Sequence, residues 1–290
     1  MDFIGNKKAV DTLQRAIGKS SLNHAYIFSG PEKVGKFTLA RKFALAAIGD
    51  SKKISQVEDN DSLLDLIVVE PEIVEKNKVA KQRDISIETI REAKMSMSLF
   101  PYKGKYKVLI VNDAHKLNVA AQNGLLKMLE EPNATSIIIL ITHELDRILP
   151  TILSRCQMIN FSLVGGDEMR KEFEDEADLS IGRPGIGNNL RNNPEEKKFR
   201  IESYGQFEKM LYGSISEKFS LAEEYSKDIV KTLQRMNIWV WEFRKRSNDL
   251  SLEQRSEIYV KIEKIQEASK LLKSTNANSR LILETLFMDL

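Results

Sequence analysis

Between a short apolar run, Ala25–Ser29, and a run rich in Ala, Leu and Phe, Lys36–Ile48, stands the segment Gly30-Pro31-Glu32-Lys33-Val34-Gly35-Lys36. It matches the phosphate-loop pattern G-x-x-x-x-G-K-[ST] up to its last position. A loop of this kind joins a strand to a helix. Its backbone N–H groups cradle phosphates, and the helix N-terminus adds a favourable dipole. The pattern therefore commits the N-terminal part of the chain to strands alternating with helices. Gly30 and Gly35 shape the loop, and Lys36 is positioned to reach outer phosphates.

The rest of that region agrees. Val10, Leu13 and Ile17 recur at helical spacing, and Gly18 is a stop. Leu63–Pro71 (LLDLIVVEP) contains a strand ended by proline, and residues 86–97 form a helix with Ser86 as cap. Lys107–Val111 and Ser136–Thr142 are continuous apolar runs, as strands buried on both faces of a parallel sheet require. A helix over 118–131 lies between them, and Gln157–Phe161 is a fifth strand. Past Gly165 and Gly166 the strand pattern stops. Short helices are expected around IGRPGIG, the polar segment RNNPEEKKFR (191–200) is expected to be a linker or exposed turn, and residues 203–290 are expected to be helical throughout.

The phosphate loop departs from an active site at its last position. A hydroxyl there would hold magnesium, but Phe37 cannot coordinate a cation. Thr38 is one residue late and points about 100° further around the helix. A second acidic motif is expected at the end of an apolar strand, with an Asp for magnesium and a Glu to orient water. The chain has Val108-Leu109-Ile110-Val111-Asn112-Asp113: Asn112 is neutral at the metal position, and Asp113 is one methylene shorter than Glu at the other.

Composition limits the alternatives. In 290 residues, 44 basic and 42 acidic side chains leave a net charge of +2, which argues against blanket phosphate neutralisation as a source of affinity. One cysteine, Cys156, excludes an internal disulfide, and with three histidines no metal site is expected. No signal peptide and no run of about 18 apolar residues is present, so a cytoplasmic setting and no membrane partner are expected. The basic stretch Lys76, Lys78, Lys81, Arg83 is interleaved with acids and reads as a solvated loop. Trp239 and Trp241 cannot share one helix face, so one is expected in a core and the other at an interface.

The runs HAYIFSGPEKVGK (24–36), KVLIVNDAHKLNVAAQNGLLKMLEEPN (107–133) and LPTILSRC (149–156) together resemble bacterial DNA polymerase III clamp-loader subunits, the delta-prime type most and gamma/tau as near relative. The resemblance is close from Phe3 to about Phe161 and weaker through LSIGRPGIG and NANSRLILETL. It implies an α/β AAA+ P-loop domain over 1–163, a small helical lid over 164–204 and an all-α C-terminal collar over 205–290. It further implies that Ser154-Arg155-Cys156 is the motif that reaches a neighbouring subunit's ATP, with Arg155 as an arginine finger, and that Thr142 is the polar residue that senses the terminal phosphate. The lid of active relatives carries a sensor arginine where this chain has Gly185, with Arg183 two residues early. The four-cysteine zinc module of many relatives is absent from residues 49–65. The implied chain is an ATPase-inactive subunit that needs no cofactor, with residual ATP or ADP binding left open. Its implied partners are gamma/tau and delta subunits and, through the complex, the sliding clamp and primer-template DNA. The alternative is a gamma/tau-like subunit that hydrolyses its own ATP. A small-molecule kinase would share only the P-loop.

Overall fold

A computed structural model describes residues 3–19, 21–49, 51, 53–54, 64–76, 79–247, 250–274 and 278–290. Most of the segment expected to lack a zinc module therefore lies outside the described residues, as do Leu63 and Lys78. The chain divides into two compact units, residues 1–187 and 188–290.

The first unit is built on a five-stranded parallel sheet. In chain order it contains α1 (Lys7–Gly18), β1 (Ala25–Ser29), α2 (Lys36–Ile48), β2 (Leu66–Val69), β3 (Ile73–Lys76), β4 (Val79–Gln82), α3 (Ile87–Met97), β5 (Lys107–Val111), α4 (Val119–Glu130), β6 (Ser136–Thr142), α5 (Pro150–Leu153), β7 (Gln157–Asn160), α6 (Gly166–Phe173) and α7 (Glu176–Leu179). The sheet order is β2-β5-β6-β1-β7, with every neighbouring pair parallel. β1 thus lies inside the sheet, and the chain crosses from it to the far edge at β2. That places the loop after β1 beside the ends of β5 and β6, where open α/β sheets bind ligands.

The apolar runs read as continuous because both faces are covered. Tyr26 and Phe28 of β1 join Leu13, Leu39 and Phe43 in one core cluster. Ala25 and Ile27, pointing the other way, join Ile90, Leu125 and Leu140 in a second. Alternate residues of one strand so supply two cores. The α/β class is as expected, and the five expected strands form the parallel sheet; β3 and β4 were not expected.

Two local readings need correction. The basic stretch expected to be a solvated loop forms a hairpin, β3 paired antiparallel with β4; β-branched Ile73, Val74 and Val79 favour extended backbone there. The segment expected to be a linker at 191–200 instead joins two helices, α8 (Pro184–Asn192) and α9 (Pro194–Tyr212). The Asn193 side chain caps α9 by accepting from Glu196 N at 3.1 Å, and Pro194 takes the first turn, where its missing N–H costs nothing.

The second unit continues from α9 through α10 (Ile215–Ser226), α11 (Ile229–Ser247), α12 (Leu252–Ser274) and α13 (Ser279–Asp289), with no strand among its described residues. α9 runs unbroken through residues 204 and 205. The core of this unit gathers Phe207, Met210, Tyr225, Trp239, Phe243, Ile265, Leu283 and Phe287. Trp239 is fully buried and donates its indole N–H to Ser203 O at 3.2 Å. Trp241 is half-buried, with the Lys245 ammonium 5.5 Å from its ring centre. Of the apolar residues of α13, Leu283, Leu286 and Phe287 are core, whereas Leu281 is 61% exposed. No helix among the described residues is long and apolar enough to cross a membrane.

Candidate functional site

The loop after β1 is held by backbone constraints that follow from its sequence. Gly30 has φ +144°, and a Cβ there would lie 2.2 Å from Phe161 O, so only glycine fits beside the chain leaving β7. Gly35 has φ +94° at the start of α2. Between them Lys33 adopts φ +59°, and its carbonyl accepts from Gly185 N at 2.9 Å. The phosphate loop and the start of α8 are therefore in direct contact. A Cβ at Gly185 would lie 3.0 Å from Lys33 O, so the backbones of loop and helix start approach closely at the position that the resemblance aligned with the sensor arginine of active relatives.

The ends of β1, β5 and β6 enclose a pocket of about 510 Å³. Gly35, Lys36, Phe37, Thr38, Asn112, Asp113 and Gly185 line it, joined by Glu32, Lys33, Ile141 and His143. Six residues singled out as degenerate nucleotide-binding positions thus converge on one cavity. Gly30 supports the loop from behind.

Lys36 is buried, and its ammonium donates to Gly30 O at 2.6 Å and to Pro31 O at 2.5 Å. Burial pulls its pKa down to about 8, against the opposing pull of the Glu32 and Asp113 carboxylates and with some help from Arg183. The lysine is folded onto its own loop. Asn112 donates its side-chain N–H to Glu70 Oε1 at 3.0 Å, so its amide is tied to the end of β2. Asp113 sits in left-handed backbone, φ +49°, at the turn after β5. Phe37 packs against the core cluster of α1 and α2. A magnesium ion that bridges nucleotide phosphates requires oxygen ligands at these two positions. A phenyl ring offers no ligand, and a neutral amide brings no charge to offset the ion's, so the pair fits it poorly.

Thr142 is completely buried and does not line the pocket. Its hydroxyl donates to Glu144 O at 3.1 Å and accepts from Glu144 N at 3.0 Å. The next residue, His143, faces the pocket in its place. Its Nε2 lies 2.9 Å from Glu32 Oε1 and its Nδ1 lies 3.8 Å from Asp113 Oδ1. The His143 hydrogen bond holds the Glu32 carboxyl down at about 2, against burial, which raises it. The ring of buried His115 meets that of His143 edge-on, with centres 4.1 Å apart. Asp113, His115 and His143 each bring a ligand-type atom to within 4.8 Å of the others. From the sequence no metal site was expected of the three histidines, and neither His115 nor His143 was assigned to the pocket. The available signal was their position just past the ends of two apolar strands, where a parallel sheet gathers its ligands.

The Ser-Arg-Cys motif lies elsewhere, in the turn between α5 and β7, and none of its residues lines this pocket. Arg155 donates to Thr151 O at 2.9 Å and forms an ion pair with Glu130 at 2.8 Å; its side chain is 36% exposed. Ser154 donates to Thr151 O at 3.1 Å. Cys156 is partly buried against the core cluster of α3 and α4, and burial pushes its thiol up to about 11, which disfavours the thiolate at neutral pH.

Comparison with known proteins gives the family. Residues 5–164, more than half of the chain, match the family described as DNA polymerase III, delta subunit. The chain is 32% identical over 163 residues to DNA polymerase III subunit tau of Bacillus subtilis, covering 56% of this chain and 29% of that protein. It is 35% identical over 150 residues to DNA polymerase III subunit delta' of Pseudomonas aeruginosa, covering 48% and 43%. These matches span less than half the length of either relative. A crystal structure of a gamma subunit-related protein of DNA polymerase III from Thermotoga maritima superposes with a TM-score of 0.60 at 18% identity, over 97% of this chain and 98% of that one. At that identity it is the fold that is shared.

Proposed function

The chain belongs to the DNA polymerase III delta subunit family, and from that premise we propose that it is a delta-prime-like clamp-loader subunit that does not hydrolyse ATP itself. In this reading it holds a place in a ring with gamma/tau and delta subunits and offers Arg155 to a neighbour's nucleotide. Through the complex it serves the sliding clamp and primer-template DNA.

One observation carries the proposal. Both positions that should hold magnesium beside the phosphate loop depart from the expected ligands: Phe37 brings a ring where a hydroxyl would stand, and Asn112 brings a neutral amide, its N–H bonded to Glu70, where a carboxylate would stand. Phosphoryl transfer depends on metal and fixed charge to stabilise the transition state. A pocket without that metal leaves the chain with a structural share of the work. Arg155 supports the same reading. It lies outside its own pocket and is parked on Glu130, and an exposed pair of this kind contributes about 0–1 kcal/mol. A neighbour's phosphate can therefore draw the guanidinium away at little cost, and its planar fork suits a phosphoryl group.

A second reading, a gamma/tau-like ATPase, draws on the match to subunit tau. Steady-state hydrolysis separates the two. The pure chain with magnesium and ATP is expected to show no turnover above background. Incorporation of Arg155→Ala into a reconstituted complex is expected to lower, but not abolish, its ATPase, because other sites keep their own fingers. Turnover by the pure chain would support the second reading. Full activity with an incorporated Arg155→Ala subunit would reduce Arg155 to a surface ion pair.

A further inference from the structure

Beside the positions expected to hold magnesium stands a cluster with a donor set of its own. Asp113 closes β5, His115 lies two residues on in the same turn, and His143 follows β6. Two imidazoles and one carboxylate form the set preferred by zinc and similar borderline divalent ions, and magnesium, which takes oxygen ligands, does not favour it. We propose that Asp113, His115 and His143 form a binding site for a zinc-type divalent cation at the mouth of the pocket.

The geometry is close to what such an ion needs. Ligand atoms around a tetrahedral zinc lie about 3.3 Å apart, given bonds of about 2.0–2.2 Å. Asp113 Oδ1 and His143 Nδ1 are 3.8 Å apart, and the three ligand-type atoms span 4.8 Å at most. A rotation of the half-buried Asp113 carboxylate closes the difference.

The surroundings fit as well. The Glu32 carboxylate, 2.9 Å from His143 Nε2, fixes that nitrogen as the proton donor. The Nδ1 lone pair is then left facing Asp113. A metal-bound histidine whose other N–H donates to a carboxylate is the usual outer arrangement of such sites, and it raises the ligand's basicity. His115 is buried, and its ring is placed by Thr142 Oγ1, 3.5 Å from its Nδ1. Other charged groups near the cluster include Lys36, Lys116, Arg183 and Glu144. Lys36 donates to Gly30 O and Pro31 O, so its ammonium is engaged by the loop's own carbonyls while still feeling the Asp113 charge. Three ligands leave a fourth position for water.

The ion would tie the turn after β5 to the end of β6, a brace between neighbouring strands. It would also occupy the edge of the pocket with a charge fixed by protein rather than by nucleotide. The site goes beyond the clamp-loader reading and does not depend on it, because it is tested on the isolated chain without partners or ATP.

The test uses the full chain stripped with a chelator and titrated with Co²⁺ as a visible probe. The expected result is one equivalent bound with tetrahedral d–d absorption, displaced by Zn²⁺ and untouched by millimolar Mg²⁺. Asp113→Asn and His143→Gln should each weaken binding at least about tenfold, whereas His24→Gln, which replaces the third histidine, should leave it unchanged. Circular dichroism checks that each variant folds. If a variant does not, the histidine ring signals of the unmodified chain decide: Zn²⁺ should shift two of the three. Absence of saturable binding, loss of binding in His24→Gln alone, or shifts confined to one ring would overturn the proposal.

Discussion

Gly30 shows how much a single position can decide. At φ +144° an L side chain is strained whatever space it has, and here a Cβ would also meet a backbone oxygen at 2.2 Å that cannot move alone. Gly30→Ala is expected to lose about 3 kcal/mol or more in urea unfolding. Gly18, with nothing within 4 Å of its Cβ position, is the control: its alanine variant should be neutral or stabilising by up to about 1 kcal/mol. Equal losses for both would show that the loop is not clamped as described. Cys156 gives a chemical check at the same scale. With its thiol raised to about 11, alkylation by iodoacetamide at pH 7.5 should be slow in the folded chain and fast in denaturant; rapid native labelling would contradict its burial. At this scale the sequence was legible where spacing along one segment sets geometry. Gly30, Gly35, Lys36 and Phe37 are neighbours in the chain, and their roles in the loop follow from order alone. The partners that come from other strands were not legible. Glu70 is 42 residues from Asn112, and Glu32 meets His143 only because β1 lies beside β6.

Elements were readable where the local pattern and the burial agree, and misread where polarity hides a capping signal. The β5 and β6 runs were plain because both faces are buried. The segment 191–200 looked like a linker by composition, yet Asn193, Pro194, Glu195 and Glu196 are a helix start: a cap, a proline at the first turn and two acids at the positive end of the dipole. Asn193→Ala should therefore cost about 1 kcal/mol, read as a lower urea midpoint, with an unchanged midpoint counting against the cap. The link between β2 and β5 carries a stronger anchor. Buried Asp65, just before β2, accepts backbone N–H groups of Tyr102, Lys103 and Gly104 at 2.6, 3.0 and 2.9 Å. Burial raises its pKa, but the three bonds outweigh it and the net shift is downward. The sign follows from linkage. A depressed folded pKa contributes stability above the ordinary value of 3.8, and that contribution is lost as pH falls through the folded value. Asp65→Asn is expected to lose about 1–3 kcal/mol at pH 7. The gap from the unmodified chain should shrink in acid melts below pH 3.8; a gap that widens there would mean the carboxylate is not the anchor.

For the whole molecule, the division into residues 1–187 and 188–290 makes a prediction that the chain's own chromophores can test. Each unit has a core of its own. The first has the two clusters on either face of its sheet; the second has the aromatic set in which Trp239 stacks on Tyr225, with ring centres 5.8 Å apart, and meets Phe287 edge-on. Units with separate cores unfold with separate midpoints unless an interface couples them strongly. Both tryptophans of the chain, Trp239 and Trp241, lie in the second unit. Fluorescence excited at a tryptophan-selective wavelength therefore reports that unit alone, while far-ultraviolet circular dichroism reports helices in both. In urea the two probes are expected to give different midpoints, and Gly30→Ala, a lesion confined to the first unit, should move the dichroism transition and leave the tryptophan transition in place. Trp239→Phe should act in the opposite sense, because it removes an indole that is fully buried and hydrogen-bonded to Ser203 O. Its unfolding is then followed by the fluorescence of Trp241. Coincident midpoints that shift together in both variants would establish one cooperative unit in place of two. Independent midpoints would mean that the helical unit can be altered, for instance at exposed Leu281 of α13, without disturbing the phosphate loop.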